Sequence, residues 1–395
     1  MLAISADSCF NTKDDTFSTE DFLLDLEKLV NVDSGRGAPE GGTLMGSILA
    51  EPLVKRGWLI ERHNLSPNIG ECVVLKNRQA ERFDALLLGH MDTVFPAGEV
   101  AKRPFTRDEE RAYGVGVYDM KQGCLTIVHT LLALSPEANE ELNIAVIFNT
   151  DEEISSIYST PLIKSYAKRS DHAFVLEPSA QEGYHCIERK GILRATFQFA
   201  GKACHSGSMF TKDGRSAIAE MAYWIVALSE LNNRETGTSV NPGIVKGGKA
   251  ANIVADFAEL TIDVRIKTLE EQDKVLAKLA DLGEHARSVG ITVTEVDRRT
   301  RPPWVPDERT KRYAEHLREL SLGMGLPFEL EPEARGGGSD GNTAANCGAI
   351  TIDGLGPTGD HAHTVDEYMR LDGIEPSIRF LHAILEDLAQ LKTAQ

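Results

Sequence analysis

Cysteine is sparse and badly placed for cross-links. The six cysteines (9, 72, 124, 186, 204 and 347) are scattered over 395 residues, and none forms a CxxC pair. That excludes a disulfide scaffold and a thiolate zinc motif, and it points to reduced, buried thiols and a cytoplasmic setting. Long apolar runs are missing too: none approaches the ~20 residues of a membrane span. The opening stretch, MLAISADSCFNTKDDTF, has neither a basic n-region nor a long apolar core, so it does not look like a signal peptide. The expected compartment is the cytoplasm, or the periplasm if a leader has been trimmed. Basic charge is in deficit, with 42 Lys and Arg against 60 Asp and Glu and a formal net charge of −18. This argues against nucleic acid or an anionic membrane as the main partner. Internal repeats and low-complexity tracts are absent. The GxG of Gly114-Val115-Gly116 lacks the third glycine of a dinucleotide fingerprint.

What is present sets the scale. A chain of 395 residues exceeds the usual size of one hydrophobic core, so two domains are expected. Its 42% hydrophobic and 26% charged residues suit a globular protein. Ser18 can cap a helix over 18–30 whose apolar face is Phe22, Leu23, Leu26, Leu29 and Val30. Three apolar runs have the length of buried strands. Residues 84–88 end in Gly89-His90, residues 143–149 in Thr150-Asp151-Glu152-Glu153, and residues 171–176 in Glu177-Pro178. A helical pattern over 120–134 separates the first two. This alternation predicts an α/β catalytic domain with a mixed, largely parallel sheet flanked by helices. Ligands gather beyond the carboxyl ends of such strands, where all three runs place their charged residues.

Near residue 190 the pattern changes. Residues 192–199 and 257–266 alternate apolar and polar, and helical stretches cover about 214–231 and 268–286. Two strands and two helices predict an α+β domain over 189–301, inserted between catalytic segments 1–188 and 302–395. Residues 298–307, with three prolines, read as the return linker, and helices follow at about 308–324 and 373–391.

Five clusters along the chain suit metal ions: His90-Met91-Asp92, Asp119, Glu152-Glu153, Glu177 and His363. Two histidines and several carboxylates, with no cysteine, fit a pair of divalent ions better than one structural zinc. His90 and Asp92 stand two apart at a strand end and point the same way, so one can ligate while the other fixes the imidazole tautomer. Asp119 alone also fits a helix N-cap. Glu152 and Glu153 repel each other, a costly arrangement at a buried site without cations. With cations, one can ligate and the other can move a proton. Glu177 alone suits a capping turn, and His363 alone is an ordinary histidine. The conjunction of all five at strand ends carries the signal.

The segments GHMDTVFP (89–96), YGVGVYDMKQG (113–123), FNTDEE (148–153), LEP (176–178), GKACHSG (201–207), DVR (263–265), GGGSD (336–340) and HAHTVDEY (361–368) together resemble the M20 family of metallopeptidases, and within it the glutamate carboxypeptidase branch. The resemblance covers about residues 20 to 390. It implies two zinc ions per subunit, with cobalt or manganese as substitutes. Asp119 would bridge them, His90 and Glu177 would complete one, and Glu153 and His363 the other. Asp92 would orient His90. Glu152 would be the general base that activates water for attack on an amide and then passes the proton to the leaving amine. His205 would reach the active site of a partner subunit and stabilise the oxyanion. The inserted domain would be a ferredoxin-like lid through which two copies dimerise.

By the same resemblance, Glu at position 177 is typical of the carboxypeptidase, deacylase and desuccinylase branches. The implied substrate is a small peptide or N-acyl amino acid with a free carboxylate on the amine side, glutamate types favoured. Arg265 and Arg301 would fork to that carboxylate. Asn252 would touch substrate from the lid, and Gly336–Gly338, with Gly337 at its centre, would bring backbone N–H groups to the same group. Arg335, beside that loop, is a further candidate. The alternative is a deacylase of the acetylornithine or succinyl-diaminopimelate type. Intact Glu152 and His205 disfavour a metal-binding homologue without catalysis. Three sites depart from the family pattern. Ile154-Ser155-Ser156-Ile157-Tyr158-Ser159 replaces a Gly-Ser-rich turn, Gln122 replaces a glycine, and Asp360-His361-Ala362 precedes His363.

Overall fold

The computed structural model describes residues 3–179 and 181–394. The chain forms two compact units. One comprises Met1–Ile187, Pro306–Glu333 and Ser339–Gln395, the other Glu188–Val305 with Ala334–Gly338. The Gly-rich loop, grouped by sequence with 302–395, therefore belongs to the second unit. Among the described residues no helix is long and apolar enough to cross a membrane.

The first unit is built on a six-stranded sheet in the order Ile350–Ile352, Ser170–Val175, Phe83–His90, Ile144–Asn149, Cys72–Lys76, Leu59–His63. The first three pairings are parallel and the last two antiparallel. The sheet is mixed α/β, with its parallel part where the apolar runs predicted it. Phe83–His90 is central, and only Asp84 in it escapes full burial. Leu87 joins one core with Val146, Phe148 and Phe174, while Leu86 and Leu88 join another with Ala145, Ile147 and Val175. Each such side chain contributes ~1.5–3 kcal/mol on burial. Residues of helices Thr19–Val30, Pro39–Lys55, Gln122–Ala133 and Ile374–Thr393 pack in the first core, and those of Thr160–Ala167 and Asp340–Ala345 in the second. Ser18 caps Thr19–Val30 as its sequence suggests, accepting from Asp21 N at 3.2 Å.

A second sheet of the same unit runs Pro178–Ser179, Gly356–Asp360, Tyr368–Arg370, Arg111–Tyr113, Thr106–Arg107. Its strands are two to five residues long, too short to show a period in sequence. Yet it gathers the site. Glu177 precedes its first strand, His363 lies in the hairpin between Gly356–Asp360 and Tyr368–Arg370, and Asp119 follows Arg111–Tyr113.

The second unit is a four-stranded antiparallel sheet, Ser239–Gly247, Phe257–Ile266, Gly191–Ala200, Thr292–Arg301, with helices Ala217–Ser229 and Leu269–Ser288. Its β-α-β-β-α-β order is the ferredoxin-like split βαβ pattern. Leu193, Ala195, Phe197 and Phe199 alternate with Leu260, Ile262 and Val264 against Trp224 and Leu279. Two of the four strands were not expected. Ser239–Gly247 carries Pro242 at a register shift, and Thr292–Arg301 is polar and mostly exposed. Both are edge strands, where solvent erases the alternation that a half-buried strand shows. Residues 298–301, placed by sequence in the return linker, instead finish the edge strand.

Candidate metal centre

His90 ends the central strand of the first sheet and pairs with Asn149, the last residue of the neighbouring parallel strand. Glu152 and Glu153 follow that neighbour, and Glu177 follows the strand on the other side. The side chains converge on Asp119. His90 Nε2 stands 3.0 Å from Asp119 Oδ1 and 3.7 Å from Glu177 Oε1. His363 Nε2 stands 3.1 Å from Asp119 Oδ2 and 3.2 Å from Glu153 Oε2. Each Asp119 oxygen thus faces a different imidazole. His90, Asp119 and Glu177 form one trio, and Asp119, Glu153 and His363 another, with ligand atoms in each within 4.8 Å of one another.

Asp92 lies behind this arrangement, buried. Its carbonyl is 3.0 Å, and its Oδ1 3.5 Å, from His90 Nδ1. The same carboxylate accepts from Glu152 N at 3.1 Å and Glu153 N at 3.0 Å. Asp92 therefore touches the His90 ring, chiefly through its backbone carbonyl, and its carboxylate holds the Glu-Glu turn, a contact the sequence did not suggest. Glu152 is half-buried and belongs to neither trio.

The electrostatics favour cations. Burial works against ionisation of Asp119, but hydrogen bonds from His363 and His90 hold its carboxyl well below the usual range. Burial and the charge of Asp119 push Glu153 up. Hydrogen bonds to Asp119 and Glu153 raise the His363 imidazole to about 11. Burial opposes a proton on His90, yet hydrogen bonds to Asp119 and Asp92 lift it well above the ordinary value. Three carboxylates thus share two imidazoles, and excess negative charge draws protons onto both rings. Divalent ions would neutralise that charge and leave the rings as ligands. An all-nitrogen-and-oxygen donor set suits zinc, manganese or cobalt.

The turn after Glu153 departs from the family pattern in a way the structure explains. Ser155 (φ 74°) and Ser156 (φ 49°) adopt the left-handed conformation that favours glycine. Polar anchors hold them there. Ser156 Oγ donates to Asp340 Oδ1 at 2.5 Å, and Asn149 Nδ2 donates to Asp340 Oδ2 at 2.6 Å. Asp151 Oδ2 accepts from Tyr158 N at 2.7 Å and Ser159 N at 3.0 Å, and burial pushes this carboxyl up to about 6. Neither Asp151 nor Asp340 was singled out from sequence, although FNTDEE and GGGSD contain them. Gln122, the glycine replacement, is wholly buried and donates to Tyr118 O at 2.9 Å, bracing the turn that leads to Asp119. His361 (φ 61°) sets its ring 5.9 Å from that of Tyr368.

The second unit brings its own candidates together in two groups. His205 and Ile253 form a β-bridge, and Asn252 O accepts from Ser206 N at 3.0 Å, so His205 and Asn252 lie on adjacent segments. His205 is exposed, and its Nδ1 accepts from Gly207 N at 3.1 Å, which leaves Nε2 to carry the ring proton. Arg265 and Arg301 are both register partners of Ile192, one on each side, and share a face of the sheet. Arg265 pairs with Asp263 at 2.7 Å and donates to Gly336 O at 3.1 Å. Arg301 is buried. Gly337 O accepts from Arg189 Nη1 at 3.0 Å, an arginine the sequence did not suggest, and Arg335 O accepts from Lys190 N at 2.9 Å.

A three-layer α/β unit with paired histidine and carboxylate trios at its strand ends is the build of a metal-dependent hydrolase. The chain belongs to peptidase family M20/M25/M40, whose profile matches residues 86–387. Carboxypeptidase G2 of Pseudomonas sp. (strain RS-16) is 30% identical over 367 residues, 92% of this chain and 88% of that protein. N-acetyl-L-citrulline deacetylase of Xanthomonas campestris pv. campestris is 26% identical over 312 residues, 75% of this chain and 80% of that protein. A tripeptidase structure from Staphylococcus aureus superposes with a TM-score of 0.74 at 21% identity, covering 94% of this chain and 99% of that one, and shares the fold. The protein is therefore a metallohydrolase of a family that acts on peptides or acyl-amino acids.

Proposed function

We propose that this protein is a dizinc amidohydrolase that releases a C-terminal or N-acylated amino acid, in the manner of carboxypeptidase G2, with glutamate-type substrates favoured. The observation that carries this reading is the shared carboxylate: Asp119 offers Oδ1 to His90 at 3.0 Å and Oδ2 to His363 at 3.1 Å. In it, His90 and Glu177 hold one ion, Glu153 and His363 the other, and Asp119 both. Two such ions supply Lewis acidity, which acidifies water and polarises an amide carbonyl. Glu152 takes the proton of the attacking water and delivers it to the leaving nitrogen. Asp92 keeps His90 and the Glu152–Glu153 backbone in place. Arg265 and Arg301, with the Gly336–Gly338 loop, form the carboxylate fork, and Asn252 touches the substrate.

The metal-loaded protein should be assayed on folate-like compounds, N-acyl glutamates and N-acetylornithine. Preferred release of glutamate supports the proposal. Preference for N-acetylornithine would instead favour the deacylase reading, to which the likeness to N-acetyl-L-citrulline deacetylase points. No turnover on any of them, with metal supplied, would sink both.

His205, with its proton on Nε2, is proposed as an oxyanion donor. His205→Ala is expected to lower kcat by ~10²–10³-fold, the usual loss of one such donor, without changing metal content. An unaltered kcat would remove it from the mechanism.

The second unit is proposed to pair with a second copy. Val226 and Tyr223 on one helix are 62% and 47% exposed, and Ile244 and Val245 on the edge strand are 55% and 54% exposed. An apolar helix face beside an open strand edge is a surface that chains cover. Light scattering should show a dimer for the wild type and a monomer for Val226→Lys with Ile244→Lys. A monomeric wild type at micromolar concentration would refute the pairing.

A further inference from the structure

We propose that Glu367 locks together the two turns that carry Asp119 and His363, and so acts as the positioning residue for the shared carboxylate. This rests on the metal-centre reading above. Glu367 is only 2% exposed. Its Oε2 accepts from Gly116 N at 3.0 Å, and its Oε1 accepts from Tyr118 N at 2.9 Å and Asp119 N at 3.0 Å. One carboxylate therefore satisfies three donors in the turn that ends at Asp119. It does so from the hairpin loop that carries His363.

Neither turn would hold its shape unaided. Gly116 has φ 69° and His363 φ 67°, both left-handed, so neither segment sits in a repeating conformation that would fix it. His363 is also 54% exposed, with little packing to hold its ring. Arg103 fastens the same loop from another side. Its Nη1 donates to Thr364 O at 3.4 Å and Val365 O at 3.3 Å, its Nε donates to Glu99 at 3.0 Å, and its guanidinium lies 4.2 Å from the Phe95 ring centre. Phe95 belongs to the segment that begins with His90 and Asp92. The loop is thus tied to the Asp119 turn by Glu367 and to the His90 segment by Arg103.

Asp119 faces both imidazoles, so a shift of its backbone reaches both ion sites at once. Glu367→Gln keeps the shape and one acceptor oxygen but sets an NH2 group against Gly116 N–H. Competition between apoprotein and a chromogenic chelator for Zn²⁺ should show both ions weakened together, by ~10–100-fold as for other residues that orient ligands. The visible absorption of the Co²⁺-loaded protein should shift, which a loss of stability alone would not cause. Glu367→Asp, with its carboxylate drawn back, should weaken both ions as well.

Asp353→Asn is the structural control. Asp353 is buried in the same unit, accepting from Ser339 Oγ at 2.6 Å, and it belongs to neither ligand trio. It should lower the melting temperature and leave Zn²⁺ affinity alone. Should the variants at 367 not fold, Arg103→Gln is decisive: it should weaken the ion at His363 and spare the other, and unchanged binding of both would overturn the clamp. A folded Glu367→Gln with wild-type affinity for two ions and an unshifted Co²⁺ spectrum would overturn the proposal directly. A wild-type protein that binds fewer than two Zn²⁺ would instead remove the metal-centre reading on which it rests.

Discussion

Glu152→Gln is expected to lower kcat by ~10³-fold while two zinc ions per subunit stay bound. The magnitude is that of losing a positioned general base, which contributes 10²–10⁴-fold, or ~4 kcal/mol at the middle of that range. The retained metal follows from geometry. Glu152 belongs to neither ligand trio, while Glu153, the next residue, does. Asp92 receives both of their backbone N–H groups, at 3.1 and 3.0 Å, and so holds the turn from which the two side chains leave for the different tasks proposed for them. Glutamine preserves volume and hydrogen bonding but cannot take a proton. KM should change little, since the loss falls on a proton transfer in the transition state. The test is kcat together with zinc content by atomic absorption. A variant that loses zinc would make Glu152 a ligand; one that keeps full turnover would deny it any role as base.

How much of this was legible in the sequence depends on what kind of contact each residue makes. His90, Glu152, Glu153 and Glu177 each stand just past an apolar run, and the runs are buried strands, so hydrophobic patterning alone sets them at one edge of a sheet. Asp119 and His363 had no such flag. The strands that bring them in are three to five residues long, below the length at which a period can be seen, so residue type and the conjunction with the other clusters marked them, and the family motifs gave them roles. Glu367, Asp340 and Asp151 were inside quoted motifs yet carried no assigned role. Glu367 meets Asp119 across 248 residues of sequence, and Asp340 meets Asn149 across 191, distances over which spacing holds no information. In the second unit the two central strands showed their alternation because one face packs on helices, whereas the edge strands Ser239–Gly247 and Thr292–Arg301 bury fully only Val240 and Arg301 and showed none. What could be read was therefore what the hydrophobic core dictates; what could not was the long-range polar bracing of the site.

Asp119→Ala is expected to have the largest effect of any single change: both zinc ions lost and turnover at background, a fall on the order of 10⁶-fold or more if the chemistry needs both ions. The asymmetry with its neighbours is what makes the prediction sharp. His90 and Glu177 serve one trio, and Glu153 and His363 the other, so His363→Ala should leave one ion held by His90, Asp119 and Glu177. Asp119 serves both, through separate oxygens at 3.0 and 3.1 Å. Its removal also deprives both imidazoles of the carboxylate they share, leaving His90 only its contact with Asp92 and its neighbour Glu177, and His363 only Glu153. Asp119→Asn is the finer probe. It retains one oxygen of the same reach and exchanges the other for a donor that no cation accepts, so one ion should persist and the second should be lost. Zinc counted per subunit should then run two for the wild type, one for His363→Ala and Asp119→Asn, and none for Asp119→Ala. If Asp119→Ala still holds one ion tightly, the trios are independent and the carboxylate does not bridge. If His363→Ala holds none, the two ions bind as a unit, and the single-ion state that Asp119→Asn was to isolate does not exist.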